Sequence, residues 1–232
     1  MALIGDIGKA LAQIFDRPFL GVLLTSLLLT VLLLIGTTIG LVWTVAGLVP
    51  NSITLPWIGT FGEIDMVAAI ASIPILLFLS AFVMFPVAGL FVGLFLDRIA
   101  GAVEARHYSY LPPAREISLS ETIWDGIKLA LLILVANLLA MIVYLFSFAA
   151  APFVFWAVNG ILIGREYFQQ VAMRRLDPAE AKALRQAHRG RIWFAGMLMA
   201  VPLSVPVVNL LVPLVGVATF THQFHRLNGT AR

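Results

Sequence analysis

Four long stretches of this chain contain no Asp, Glu, Lys or Arg, and that limits its fold more than any motif does. They are Pro18–Gly62, Met66–Leu96, Leu129–Gly164 and Ile192–His225. Each is longer than the roughly 20 residues a helix needs to cross a bilayer. The chain is 61% hydrophobic and only 12% charged, with a mean hydropathy of +0.99. A soluble fold of 232 residues has too much surface to hide that many apolar side chains. A soluble enzyme, a nucleic-acid binder and a disordered chain are therefore all disfavoured, and lipid is the expected solvent.

The charges collect between the stretches, and their sign gives an orientation. Lys and Arg number two in residues 1–17, none in 50–65, four in 97–128, seven in 165–191 and two in 226–232. Basic residues concentrate on the cytoplasmic side of membrane proteins, so both termini, 97–128 and 165–191 are expected there. The loop 50–65, with Glu63 and Asp65, is expected outside. The net charge of +3 is explained by this anchoring. The N-terminal region mixes Asp6 and Asp16 with Lys9 and Arg17 before a very long apolar stretch, which fits an uncleaved anchor better than a signal peptide.

Under this topology the first two stretches cross once each, and the last two start and end on one side as hairpins. Pro152 leaves an arm of Phe153–Gly164, and Pro202 follows an arm of Ile192–Val201. These arms are about 18 and 15 Å long, short for a hydrocarbon core of roughly 30 Å. The expected architecture is all-α and integral to the membrane: two long transmembrane helices, two partially penetrating helical hairpins and amphipathic interfacial helices. The alternative is two full hairpins whose arms extend through their charged ends.

We read 1–232 as one membrane domain. It comprises an amphipathic helix in 1–17, long helices in 18–49 and 65–108, a hairpin in 118–176, an amphipathic helix in 177–190 and a hairpin in 191–226. Ile4, Ile7, Leu11 and Ile14 recur at helical spacing, so residues 3–16 are expected to form an interfacial helix. Asp16-Arg17-Pro18 offers a cap and a first-turn proline for the first long helix. Ser118 and Glu121 form a capping-box pattern, and Asp177-Pro178 is a helix start with Gly190 as the expected stop. Pro74 and Pro86 are expected to kink the second long helix. Gly36/Gly40, Gly89/Gly93 and Gly160/Gly164 are GxxxG pairs, suited to close helix packing.

Little in the chain suggests covalent chemistry. There is no cysteine, hence no disulfide framework or thiolate site. No phosphate-binding glycine motif is present. His222 and His225 are three apart, as metal ligands can be, but no carboxylate lies near them in sequence, so an interfacial anchor is the preferred reading. No catalytic residue, metal site or cofactor is expected. Asn159 is read as interhelical glue, or alternatively as polar lining of a water-filled path. Arg98, Glu104, Arg106, Arg165 and Glu166, with Asp97, fall at one interface. They are expected either as an ion-pair network at the mouth of a path or as ordinary anchoring and helix pairing. Helix N-termini placed inside the membrane after Pro152 and Pro206 would favour an anion.

Asn159–Phe168, Arg174–Pro178 and the proline-rich segment Pro202–Pro213 resemble the CysZ-type sulfate permeases, which share a family with the etoposide-induced membrane proteins. Gly93–Arg98 with Glu104 and Arg106 is similar to the segment leaving that family's second long helix. The resemblance implies two long helices, two hemi-penetrating hairpins and a homo-oligomer that conducts sulfate across the bacterial inner membrane for cysteine biosynthesis. It also implies an arginine pair before the first long helix; here Asp16-Arg17-Pro18 stands at that place, so Arg17 alone carries over as the substrate-binding residue. The expected partners are an inorganic anion and the lipid bilayer, with no nucleic acid. The alternative function is a non-transporting membrane scaffold or assembly factor, supported by the GxxxG faces and the basic amphipathic segment 178–189.

Overall fold

A computed structural model describes residues 2–48, 53–55, 59–61, 95–115, 118–146, 151–205, 208 and 211–231. Pro74, Pro86, Gly89 and Gly93 lie outside the described residues, as does most of the expected second long helix. The chain divides into two compact units, one of Met1–Leu23 with Leu94–Arg232 and the other Leu24–Gly93.

Helices dominate the described residues. They are α1 (Ala2–Ala12), α2 (Arg17–Leu48), α3 (helical residues 95–107), α4 (Leu119–Phe146), α5 (Ala151–Met173), α6 (Pro178–Ala187), α7 (Arg189–Ala200) and α8 (Val212–Leu227). A short antiparallel strand pair, Ile53–Leu55 with Gly59–Phe61, is an exception to the all-α expectation. Ile53 pairs with Phe61 and Leu55 with Gly59; β-branched and aromatic residues favour such extended backbone.

The helix starts follow local chemistry. Asp177 accepts hydrogen bonds from the amides of Ala179 and Glu180, both at 2.8 Å, and Pro178 opens α6. Before α4 the Glu121 amide donates to Ser118 Oγ at 3.2 Å and the Ser118 amide donates back to Glu121 at 3.4 Å, a reciprocal capping box. Gly190, the expected stop of α6, instead lies inside α7. The break falls at His188, whose backbone leaves the helical region (φ −115°, ψ 21°) before the chain turns into α7.

Ile4, Ile7, Leu11 and Ile14 do not share one environment. Ile7 and Ile14 pack on the core, whereas Ile4 and Leu11 are exposed. Asp6 is buried on the inward side because Arg226 of α8 binds it.

The core of this unit lies among α1, α3, α5 and α8, around Ile99, Val103, Phe168, Val171, Phe220 and Phe224. Every residue of α8 from Leu214 to His225 is buried, so this helix faces protein on all sides. Its partner α7 ends in a 3-10 turn, Val201–Ser204, which contains Pro202; a proline cannot continue the backbone ladder before it. The final helix starts at Val212, and Pro206, after which the arm is expected to begin, lies outside the described residues.

The α5–α7 crossing is close enough to involve backbone. A Cβ on Gly160 would stand 2.9 Å from Met197 Cα, and one on Gly164 2.7 Å from the Ile192 carbonyl oxygen. Gly196 meets them from α7. By contrast, a Cβ on Gly36 or Gly40 would meet nothing within 4 Å. The helix α4 is 28 residues long, about 42 Å. It contains the stretch Ile127–Leu145, long and apolar enough to cross a membrane. Leu131, Leu134, Leu138 and Leu145 on it are exposed, as side chains facing lipid would be.

Candidate functional site

Glu104 sits at the centre of the main ionic cluster. It lies on α3, beyond the second uncharged stretch, and is 5% exposed. Arg175 binds it twice, Nε to Oε1 at 3.1 Å and Nη2 to Oε2 at 2.9 Å. This is the two-pronged geometry a guanidinium forms with a carboxylate. Arg174 Nη2 adds a bond at 3.2 Å, and its Nη1 pairs with Asp97. His225 Nε2 stands 3.2 Å from Oε1. Both arginines follow directly on α5, in the turn before Asp177, and the Arg115 amide binds the Arg174 carbonyl at 2.8 Å. The cluster thus ties α3, the end of α5 and the end of α8 together.

A second layer adjoins it. Tyr108 Oη lies 2.9 Å from His222 Nδ1, and the His107 ring meets the His222 ring edge-on at 4.8 Å. Tyr108 also packs against the His225 ring, with centroids 4.1 Å apart. Arg226 binds Asp6 through Nη2 at 2.6 Å and Nε at 3.1 Å. His225 and Arg226 lie in the last turn of α8, where the helix dipole favours cationic or donor groups. His222 and His225 are therefore not interfacial anchors. They are buried, and the carboxylate absent nearby in sequence arrives from α3.

Burial works to raise the Glu104 pKa. The hydrogen bond from His225 and the guanidiniums of Arg175 and Arg174 outweigh it, holding the carboxyl at about 2 against its usual 4.5. Its stabilising contribution is complete above about pH 4.5 and is lost as pH falls toward 2. At neutral pH this is worth on the order of 3 kcal/mol. The melting temperature in detergent is expected to decline progressively as acid is added below about pH 4.5, with a shallower decline in Glu104→Gln. Identical acid profiles for the two proteins would contradict this.

The expected network is only partly assembled. Glu104 and Arg106 both form ion pairs, but with different partners: Arg106 binds Asp16. Arg98 is exposed and makes no ion pair among the described residues. Arg165 lies apart from the cluster and lines a groove with Arg185 and Arg189. Glu166 has Arg165 and Asp125 as its charged neighbours. Asn159 donates to the Phe155 carbonyl of its own helix at 2.9 Å, so this bond is intrahelical. Arg17 is exposed at the first position of α2, with no ion pair among the described residues. The acid beside it, Asp16, is occupied by Arg106.

Sequence reasoning missed Arg174, Arg175, Tyr108, Asp6 and Arg226 as members of these networks. Arg174-Arg175 directly before a helix-start signal was the one local cue, but basic residues there fit membrane anchoring equally well.

The family model described as sulfate transporter CysZ/etoposide-induced protein 2.4 matches residues 6–213. No curated protein and no solved structure matches the chain.

Proposed function

Because the chain belongs to the sulfate transporter CysZ/etoposide-induced protein 2.4 family, we propose that it is a permease or channel for an inorganic anion, with sulfate as the substrate. The family match across residues 6–213 carries this reading. That family is one of membrane transporters, and the chemistry needed is binding and passage of an ion. In our proposal the protein is a homo-oligomer in a bacterial inner membrane with both termini cytoplasmic. Two long helices span the bilayer and the two C-terminal hairpins enter it partway. Sulfate delivered inward supplies cysteine biosynthesis.

Arg17 is the proposed capture residue. Its exposure and the pairing of Asp16 with Arg106 support this role, since the neighbouring negative charge is offset. The N-terminal end of α2 adds positive partial charge at the same place. Glu104, Arg174 and Arg175 have a different proposed role. With Asp97 they make two carboxylates against two guanidiniums, so they brace the cytoplasmic side of the unit and leave Arg98, Arg165 and Arg17 to influence an anion. The exposed apolar faces of α1 and α4 seat the protein in lipid.

The test uses bacterial cells unable to import sulfate, supplied with sulfate as the sole sulfur source. The wild-type chain is expected to restore growth. Arg17→Ala, present in the membrane at the same level, is expected to lower labelled sulfate uptake about tenfold, the loss of one charge-assisted contact. Growth of all strains should be equal when cysteine is supplied. A protein present in the membrane that restores no growth on sulfate would overturn the transport reading and favour a scaffold.

A further inference from the structure

The groove between α4, α5, α6 and α7 has a volume of about 530 Å³ and gathers three cationic side chains. Arg165 comes from α5, Arg185 from α6 and Arg189 from the first position of α7. Leu132 of α4, Ile161 of α5 and Trp193 of α7 form its apolar wall.

The three arginines differ from those around Glu104. Among the described residues, neither Arg165 nor Arg189 has a hydrogen-bond or ion-pair partner. Arg185 is held at one atom only, its Nε donating to Gln169 Oε1 at 3.0 Å. Gln169 is itself buried, so the guanidinium is fixed in place with its terminal nitrogens uncommitted. Trp193 is also fixed, its Nε1 donating to the Ala157 carbonyl at 3.1 Å. Burial and the charge of Arg165 lower the Arg185 pKa, with Asp125 opposing them. Glu166 and Asp125 are the carboxylates whose charges act on Arg165 and Arg185, but neither is bonded to them among the described residues, so guanidinium donors are left that an anion can take up. The groove is wide enough for a tetrahedral oxyanion, and its apolar wall can accept an acyl chain.

We propose that this groove binds a tetrahedral oxyanion, either a free dianion or the phosphate of an anionic lipid headgroup, through Arg165, Arg185 and Arg189. The site does not depend on the transport reading: a scaffold docked on anionic lipid would use it equally.

Two arms distinguish the sources. In the first, sodium sulfate is titrated into the protein in neutral detergent, with sodium chloride at matched ionic strength as the control. Tryptophan fluorescence is the readout, and Trp193→Phe identifies its origin. In the second, the protein is reconstituted with phosphatidylglycerol or with phosphatidylcholine, and retained lipid is counted by native mass spectrometry. A saturable sulfate response assigns the free ion, selective retention of phosphatidylglycerol assigns the headgroup, and both together assign a site that accepts either. In each case Arg189→Gln, at an exposed position, is expected to weaken binding about tenfold. Arg165→Gln should act alike and should leave the melting temperature unchanged. Absence of both responses, or responses that neither substitution alters, would overturn the proposal.

Discussion

Gly196→Ala is expected to disrupt the packing of α5 on α7 and to leave little stable protein. The new Cβ would collide with the Gly160 carbonyl oxygen and lie 2.8 Å from the Gly164 amide nitrogen and 3.0 Å from the Gly160 carbonyl carbon. All three are backbone atoms, so no side chain can rotate away. Relief requires the helices to separate, and that also disturbs Ile192 and Met197, which contact Gly164 and Gly160. Overpacking of a dense core costs about 1–3 kcal/mol and more where the backbone must move. For a chain of this size a cost of about 3 kcal/mol lowers the melting temperature on the order of 10 °C. Gly36→Ala is the control: its Cβ would meet nothing within 4 Å, and alanine is the better helix former. Thermal melts of both variants in detergent check the pair of expectations. A Gly196→Ala protein that melts with the wild type would show that the crossing is looser than described.

The second large effect is expected at Glu104. Glu104→Gln keeps the shape but removes the charge that Arg174, Arg175 and His225 share. Arg174 and Arg175 have side chains only 9% and 14% exposed, and His225 is fully buried, so water cannot replace the lost carboxylate. Removing one partner of a buried ion pair costs about 3–5 kcal/mol. The expected result is poor recovery of folded protein and a large fall in melting temperature. The double variant Glu104→Gln/Arg175→Gln should lose less than the two single effects combined, because the second substitution removes one stranded cation. Strict additivity of the two would contradict a shared cluster.

The sequence made some of this architecture visible and hid the rest for physical reasons. Helix starts were legible because capping is local: Ser118, Glu121 and Asp177 act within three residues of themselves. The uncharged stretch Leu129–Gly164 announced apolar helices because burial in lipid leaves a continuous compositional record. The ionic cluster was hidden because Glu104 meets Arg174, Arg175 and His225 only after the chain folds; Glu104 and His225 are separated by 121 positions. The same holds for Asp6 and Arg226, 220 apart. Gly190 misled because a glycine after a basic amphipathic stretch resembles a helix stop, whereas the next helix begins one residue before it. The histidines misled because adjacency in sequence, their only visible context, lacks the carboxylate that α3 supplies.

Arg17 and the ionic cluster illustrate two uses of arginine in one chain. Where a carboxylate answers the guanidinium, as at Arg174 and Arg175, the charge becomes structural. Where no carboxylate is bonded to it among the described residues, as at Arg17, Arg165 and Arg189, the charge is left for an external anion. The account of function depends on that second group.

The most direct measurement is labelled sulfate entry into liposomes reconstituted with the purified protein, compared with protein-free liposomes of the same lipid. The account predicts entry well above the protein-free rate, reduced by excess unlabelled sulfate and strongly diminished by Arg17→Ala. Entry at the protein-free rate, from vesicles shown to contain folded protein, would contradict it.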